Sequence, residues 1–154
     1  SGKKLEYFDP ETRERYLPHV IEPAAGLTRG VLVLLCEAYS VDESRPSPEV
    51  MRFKPSLAPI KAGIFPLTKK DGLPEISQKL FMDLRKDWIC QHDEKQGIGK
   101  RYARMDEAGT PFCFTVDHDT LQDQTVTVRD RDSLEQVRVP IADLTAEIQN
   151  RLQG

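Results

Sequence analysis

Three groups of residues carry types and spacings that could do chemistry. The first is Glu22 with Arg29 in "HVIEPAAGLTRGVLVLL", residues 19–35. A carboxylate where a strand ends can hold an ammonium, and an arginine at a helix start can hold phosphate bidentately. A structural ion pair beside a helix N-terminus is the simpler alternative. The second is "GIGKRYARMDEAGTP", residues 97–111. Lys100, Arg101 and Arg104 fall within about one and a half helical turns, Tyr102 lies among them, and Asp106 and Glu107 follow. Basic side chains interleaved with an aromatic suit a single-stranded nucleic acid, and a solvated face of i,i+3 and i,i+4 pairs is the alternative. The third is "TVTVRDRDSLEQVRV", in which strand alternation puts Arg129 and Arg131 on one face and Asp130 and Asp132 on the other. Those carboxylates could accept the N4 amino group of a cytosine, or could serve cross-strand ion pairs in a hairpin.

The elements that position these groups fall on either side of "VDESRPSPEV", residues 41–50, which reads as a linker or exposed loop. Before it lie a strand at about 16–22 and a helix at about 28–39 that is apolar on nearly every side. A helix of that kind is normally buried in a larger body, so residues 1–45 look like the end of a domain built mostly elsewhere. The helix is expected to pack on the following domain or against a second copy. After a linker at 46–57, residues 58–154 alternate regularly. Strands are expected at 60–67, 88–94, 111–117, 124–132 and 132–141, with helices at 73–87, 98–109 and 142–153. Pro74 suits a first helical turn and Gly109 a helix end. The order β-α-β-α-β-β-β-α gives an α/β domain, a mixed five-stranded sheet flanked by three helices.

The totals exclude several classes. The chain has 154 residues, 22 Lys and Arg against 25 Asp and Glu, and a formal charge of −3, so no blanket polyanion binding is expected. Its longest apolar run, Val31 to Cys36, is far too short to cross a membrane. No charged-then-apolar leader is seen. Cys36, Cys90 and Cys113 are widely spaced and read as reduced, packed thiols. His118 between Asp117 and Asp119 reads as a solvated turn, and no metal site is expected.

Taken together, "YLPHVIEPAAGLTRGVL", "LAPIKAGIFPL", "GIGKRYARMDEAGTPFCFTVDHDTL" and "TVTVRDRDSLEQVRVPI" resemble the C-terminal portion of the dimeric class II glycyl-tRNA synthetases. The resemblance runs from about Tyr7 to Leu144. It implies that the first segment corresponds to motif 3 of class II enzymes, with Arg29 as the ATP-binding arginine and Glu22 facing the amino group of glycine. Where the family usually has a serine two residues later, this chain has Ala24, so a hydroxyl is missing there. The remainder resembles the anticodon-binding domain shared by several class II synthetases. The implied partners are tRNA(Gly), glycine, ATP with Mg2+ and a second subunit, in the cytoplasm, with no DNA or membrane involved. Motifs 1 and 2 are not visible, so this chain alone is expected not to activate glycine.

Glycine anticodons end in two cytosines, and a reader of cytosine needs a carboxylate and a cation together. Lys100, Arg101, Arg104, Glu107, Asp130, Arg131 and Asp132 supply that mixture. From Ile60 onward the chain carries 14 Lys and Arg against 16 Asp and Glu, a net of −2. Discrimination is therefore expected to come from the acidic partners and affinity from a local patch. The alternative is a free-standing anticodon-like adaptor for RNA or protein without ligase activity.

Overall fold

The computed structural model describes residues 2–153. Its first elements are small. β1 (Tyr7–Phe8) pairs antiparallel with β2 (Arg15–Tyr16). The strand expected at 16–22 stops at Tyr16. Val20 and Ile21 favour extended backbone, yet they stay exposed, with no neighbouring strand among the described residues to complete a ladder. α1 (Leu27–Ala38) forms where expected, but only Ala38 is buried. Leu32 and Val33 are more than half exposed, so the helix does not pack down on the sheet domain.

The stretch expected to be a linker is a folded ribbon. β3 (Tyr39–Val41) continues from α1 and pairs antiparallel with β4 (Glu49–Met51). Val50 is fully buried. Strands of three residues, pairing about ten positions apart across Pro46 and Pro48, leave no periodicity to read.

The main sheet has five strands in the order β6-β5-β7-β8-β9. β5 (Ala62–Pro66) lies parallel to both β6 (Cys90–His92) and β7 (Phe112–Val116). β8 (Thr125–Asp130) is antiparallel to β7, and β9 (Gln136–Pro140) to β8. Every residue of β5 and β7 is buried, as a strand covered on both faces requires. One face carries Ala62, Ile64, Phe112 and Phe114 against Leu80 and Leu84 of α2 (Leu73–Leu84) and Leu144 and Ile148 of α5 (Leu144–Gln153). The other carries Phe65 and Cys113 against Met105 of α3 (Ile98–Ala108). A one-turn α4 (Thr120–Asp123) follows β7, and a short 3-10 turn (Ile141–Asp143) leads into α5. The mixed five-stranded sheet with three flanking helices is as expected.

Gly109 ends α3 with φ 76°. A side chain there would meet the Phe53 ring, whose Cε2 lies 2.8 Å from the Cβ position, and the Met51 carbonyl at 2.9 Å. The helix end therefore needs both the left-handed backbone and the bare Cα that glycine alone provides. That close approach seats the segment after β4 against α3.

Candidate nucleic-acid interface

The helical period of α3 divides its basic residues. Ile98, Arg101, Tyr102 and Met105 face the sheet, while Lys100, Arg104 and Glu107 follow one another on the outer side. Arg101 is buried, and its Nη1 donates to the Pro66 carbonyl at 2.5 Å while Nη2 donates to the Gln96 carbonyl at 3.0 Å. The expectation that Arg101 touches RNA is corrected accordingly: its donors are spent on main-chain acceptors at the end of β5 and in the loop before α3. Tyr102 is no stacking platform either. Its hydroxyl bonds Thr115 Oγ1 at 2.6 Å, and the Arg129 guanidinium lies 4.8 Å from its ring centroid.

The outer face borders a cleft of about 530 Å³, lined by Ser47, Gln96, Lys100, Ala103, Arg104 and Glu107, together with Pro46 and Gly99. Ser47 Oγ donates to Glu107 Oε1 at 2.6 Å. Arg104 is paired with Asp93 and donates to Gln96 Oε1 at 2.9 Å. Burial pushes the Asp93 carboxyl up, but the Lys95 N–H and the Arg104 guanidinium outweigh that and hold it below the usual carboxylate range. The Lys100 side chain makes no hydrogen bond or ion pair among the described residues, which leaves an exposed ammonium facing solvent.

Alternation along β8, carried one residue past its end, turns Arg129 and Arg131 inward together, where both are buried. Arg131 donates to the Gly109 carbonyl at 2.9 Å, to the Phe53 carbonyl at 2.8 Å and to Asp132 Oδ2 at 2.7 Å. Like Arg101 it is withdrawn from any ligand, because its fork closes the β8 end onto α3 and the segment after β4. Asp130 and Asp132 border a second depression of about 380 Å³ with Ser133, Glu135 and Arg151. Asp130 Oδ1 accepts the N–H groups of Asp132 at 2.8 Å and Ser133 at 3.0 Å, so it shapes the β8–β9 turn. Burial raises the Asp132 carboxyl, but Arg131 and Arg52 overcome it and hold it below the usual carboxylate range, with both oxygens already accepting guanidinium donors.

Between the two depressions lies a charge cluster that sequence reading missed. Asp106 is buried and receives Arg129 bidentately, Nη1 at 2.9 Å and Nη2 at 2.8 Å. Arg45 Nη1 donates to Asp106 Oδ2 at 2.9 Å, and Arg45 Nη2 to the Arg131 carbonyl at 2.8 Å. Burial works against the Arg129 charge, and Asp106 more than restores it. An arginine within a Pro/Ser-rich loop gives no pattern from which such a partner could be foreseen.

Near the N-terminus, Arg29 lines a hollow of about 450 Å³ with Ala24, Gly26, Gly30, Val33 and Leu34. Glu22 is exposed and makes no ion pair with Arg29 among the described residues, so the structural-pair alternative is not realised. Asp117 is bonded to Arg138 and Thr127, and no group of three or more His, Cys, Asp or Glu among the described residues is placed to hold a metal. No helix among them is long and apolar enough to cross a membrane.

Known proteins resemble this chain in sequence and in fold. Residues 61–151 match the family described as "Anticodon binding domain". Proteins named glycine–tRNA ligase are similar over the entire chain: that of Rhodopirellula baltica is 52% identical over 160 residues, covering 100% of this chain and 30% of that protein. That of Bacillus anthracis is 48% identical, covering 99% of this chain and 33% of that protein. The chain thus spans about a third of the length of these relatives. Among solved structures, prolyl-tRNA synthetase from Cryptosporidium parvum, complexed with halofuginone and AMPPNP, shares the fold with a TM-score of 0.61 at 23% identity, over 67% of this chain and 22% of that one. With its matched segment covering most of the sequence and its sheet and helices built as described, the chain belongs to the anticodon-binding domain family.

Proposed function

We propose that this chain is the C-terminal part of a glycine–tRNA ligase and that its sheet domain reads the anticodon of tRNA(Gly). The observation that carries the reading is the cleft on α3, where an unpaired Lys100 and an oriented Glu107 flank the small residues Gly99 and Ala103 within an anticodon-binding fold. A cation fixes the phosphate chain, small residues leave room for a base, and a carboxylate selects an exocyclic amine. Asp130, whose Oδ2 has no partner among the described residues, stands as a further acceptor, while Asp132 is already engaged by Arg131 and Arg52.

Residues 1–45 are the end of the catalytic domain in this reading. Arg29 has no partner among the described residues and stands at the N-terminus of α1 among small side chains, a fit for the phosphates of ATP. Glu22 is free to meet the ammonium of glycine, beside Ala24. Among the described residues no carboxylate lines the Arg29 hollow, so these residues offer no ligand set for Mg2+ there. The bare apolar face of α1 is covered by the rest of that domain in a cytoplasmic homodimer. In the parent enzyme, Arg29 would hold the triphosphate and Glu22 the amino group while the glycine carboxylate attacks the α-phosphorus and pyrophosphate leaves.

The test is fluorescence anisotropy of this chain with a labelled anticodon stem-loop carrying two cytosines, against one in which both are uracil. Preference for the cytosine loop supports the reading. Equal binding to both refutes it and leaves an adaptor without anticodon selectivity. Glycine-dependent pyrophosphate exchange by this chain alone would refute the division of labour between its parts.

A further inference from the structure

The cleft on α3 is not made by residues 61–151 alone. Pro46 and Ser47 form part of its wall, and they belong to the loop 42–48 between β3 and β4, outside the segment matched to the family. That loop is fastened at three points by one side chain. Arg45 Nε donates to Asp42 Oδ2 at 2.8 Å, Nη1 to Asp106 Oδ2 at 2.9 Å, and Nη2 to the Arg131 carbonyl at 2.8 Å. The first bond folds the loop on itself. The second ties it to α3 and the third to the end of β8. Two residues later Ser47 Oγ donates to Glu107 Oε1, so one carboxylate oxygen is occupied and the other is left without a partner among the described residues.

We infer that loop 42–48 is part of the base-reading site, with Ser47 a specificity-determining residue and Arg45 the positioning residue that holds it, and that the ligand they select is an unpaired cytosine of an RNA loop. This rests on the anticodon reading above. The free Glu107 oxygen accepts one N–H of the cytosine N4 amino group, while Lys100 supplies the cation toward the neighbouring phosphate. Pro46 shares the cleft with Gly99 and Ala103, and these surfaces accommodate the face of a planar ring. Uracil would present its O4 to the same carboxylate oxygen, acceptor against acceptor, and is rejected. Without the Ser47 hydroxyl, Glu107 swings among rotamers and the selection against uracil weakens even though both charges remain.

The experiment compares binding of the cytosine and uracil stem-loops by the full 154-residue chain bearing Ser47→Ala, Ser47→Thr, Arg45→Lys, Glu107→Gln or Lys100→Ala. Thermal melts confirm that each variant folds. Ser47→Ala is expected to lower the cytosine-over-uracil ratio about three- to tenfold, the worth of one oriented hydrogen bond, with little change in salt dependence. Ser47→Thr keeps the hydroxyl and keeps the ratio. Arg45→Lys has one point of charge in place of three fixed donors, and lowers the ratio as Ser47→Ala does. A ratio unchanged in Ser47→Ala while Glu107→Gln abolishes it overturns the inference and leaves the anticodon reading standing. Neutral behaviour of both Glu107→Gln and Lys100→Ala overturns the cleft as reader and the inference with it.

Discussion

Asn at position 106 would test how strongly the charge cluster holds the molecule together. In the native protein Asp106 accepts three guanidinium donations, two from Arg129 and one from Arg45, and its carboxylate and both arginines are nine-tenths or more buried. Three charge-assisted bonds at about 1.5–3 kcal/mol each set a gross ceiling of roughly 4.5–9 kcal/mol. Asp106→Asn keeps the shape but leaves two cations facing an amide. Part of the loss is recovered elsewhere. Arg129 retains the Tyr102 ring, and Arg45 retains Asp42 and the Arg131 carbonyl. The net destabilisation is therefore expected at about 3–5 kcal/mol, the range for removing one partner of a buried ion pair. Urea denaturation followed by tryptophan fluorescence reports it, because the single tryptophan, Trp88, packs against the sheet core. A shift in midpoint worth less than about 1 kcal/mol would refute the reasoning, since it would put the pair in the range of an exposed salt bridge.

Other consequences are equally open to measurement. Gly109→Ala forces a Cβ into the Phe53 ring and the Met51 carbonyl at positive φ, and should cost between about 2 and 4 kcal/mol, a fall of roughly 4–16 °C in melting temperature. Acid should loosen the fold below about pH 4. The Ser44 hydroxyl and Arg45 lower the Asp42 carboxyl to about 2, and Arg138 and neighbouring donors outweigh burial to hold Asp117 low. Carboxyls depressed in the folded state contribute stability that is complete above the unfolded value near 3.8 and is lost as pH falls through the folded one, so melting temperature should drop steadily from pH 4 toward 2. Lys100→Ala should weaken binding of every stem-loop alike and reduce the slope of log affinity against log salt by about 0.7, whereas a change confined to one sequence would contradict its assignment to phosphate. Burial pushes the Cys113 thiol up to about 12 and Cys90 to about 11, while Cys36 is exposed, so a disulfide reagent at pH 8 should titrate Cys36 in the native protein and Cys113 only after unfolding.

Much of the fold was legible because its elements advertise their period. The fully buried runs of β5 and β7, the Ile76–Leu80–Leu84 spacing of α2 and the Gly109 stop of α3 each state a local preference that the packing obeys. The sheet domain fails to be legible where charge is used inside. Arg101 stands in register with Ile98 and Met105, so its inward face could be counted from the helical period, yet its type suggested the surface. For Arg129 and Arg131 alternation named a shared face, but only the fold reveals that α3 and the segment after β4 cover it. The opposite failure occurs at Val20 and Ile21. Their β propensity is real, and without a neighbouring strand it has nothing to act on. At the candidate cleft, the sequence reading grouped Lys100 and Arg104 with Arg101, which the helical period separates from them, whereas Ser47 and Arg45 lie some sixty residues from their α3 partners, a distance no local pattern spans.

The ribbon of β3 and β4 also dictates where this molecule can be cut. Trimming at residue 58, where composition suggests a boundary, would discard the Phe53 carbonyl that Arg131 grips, the ring on which Gly109 rests and the second guanidinium of Asp106. A shorter piece that keeps the proposed cleft intact must start no later than Tyr39, because the ribbon that carries Pro46 and Ser47 into its wall lies outside residues 61–151.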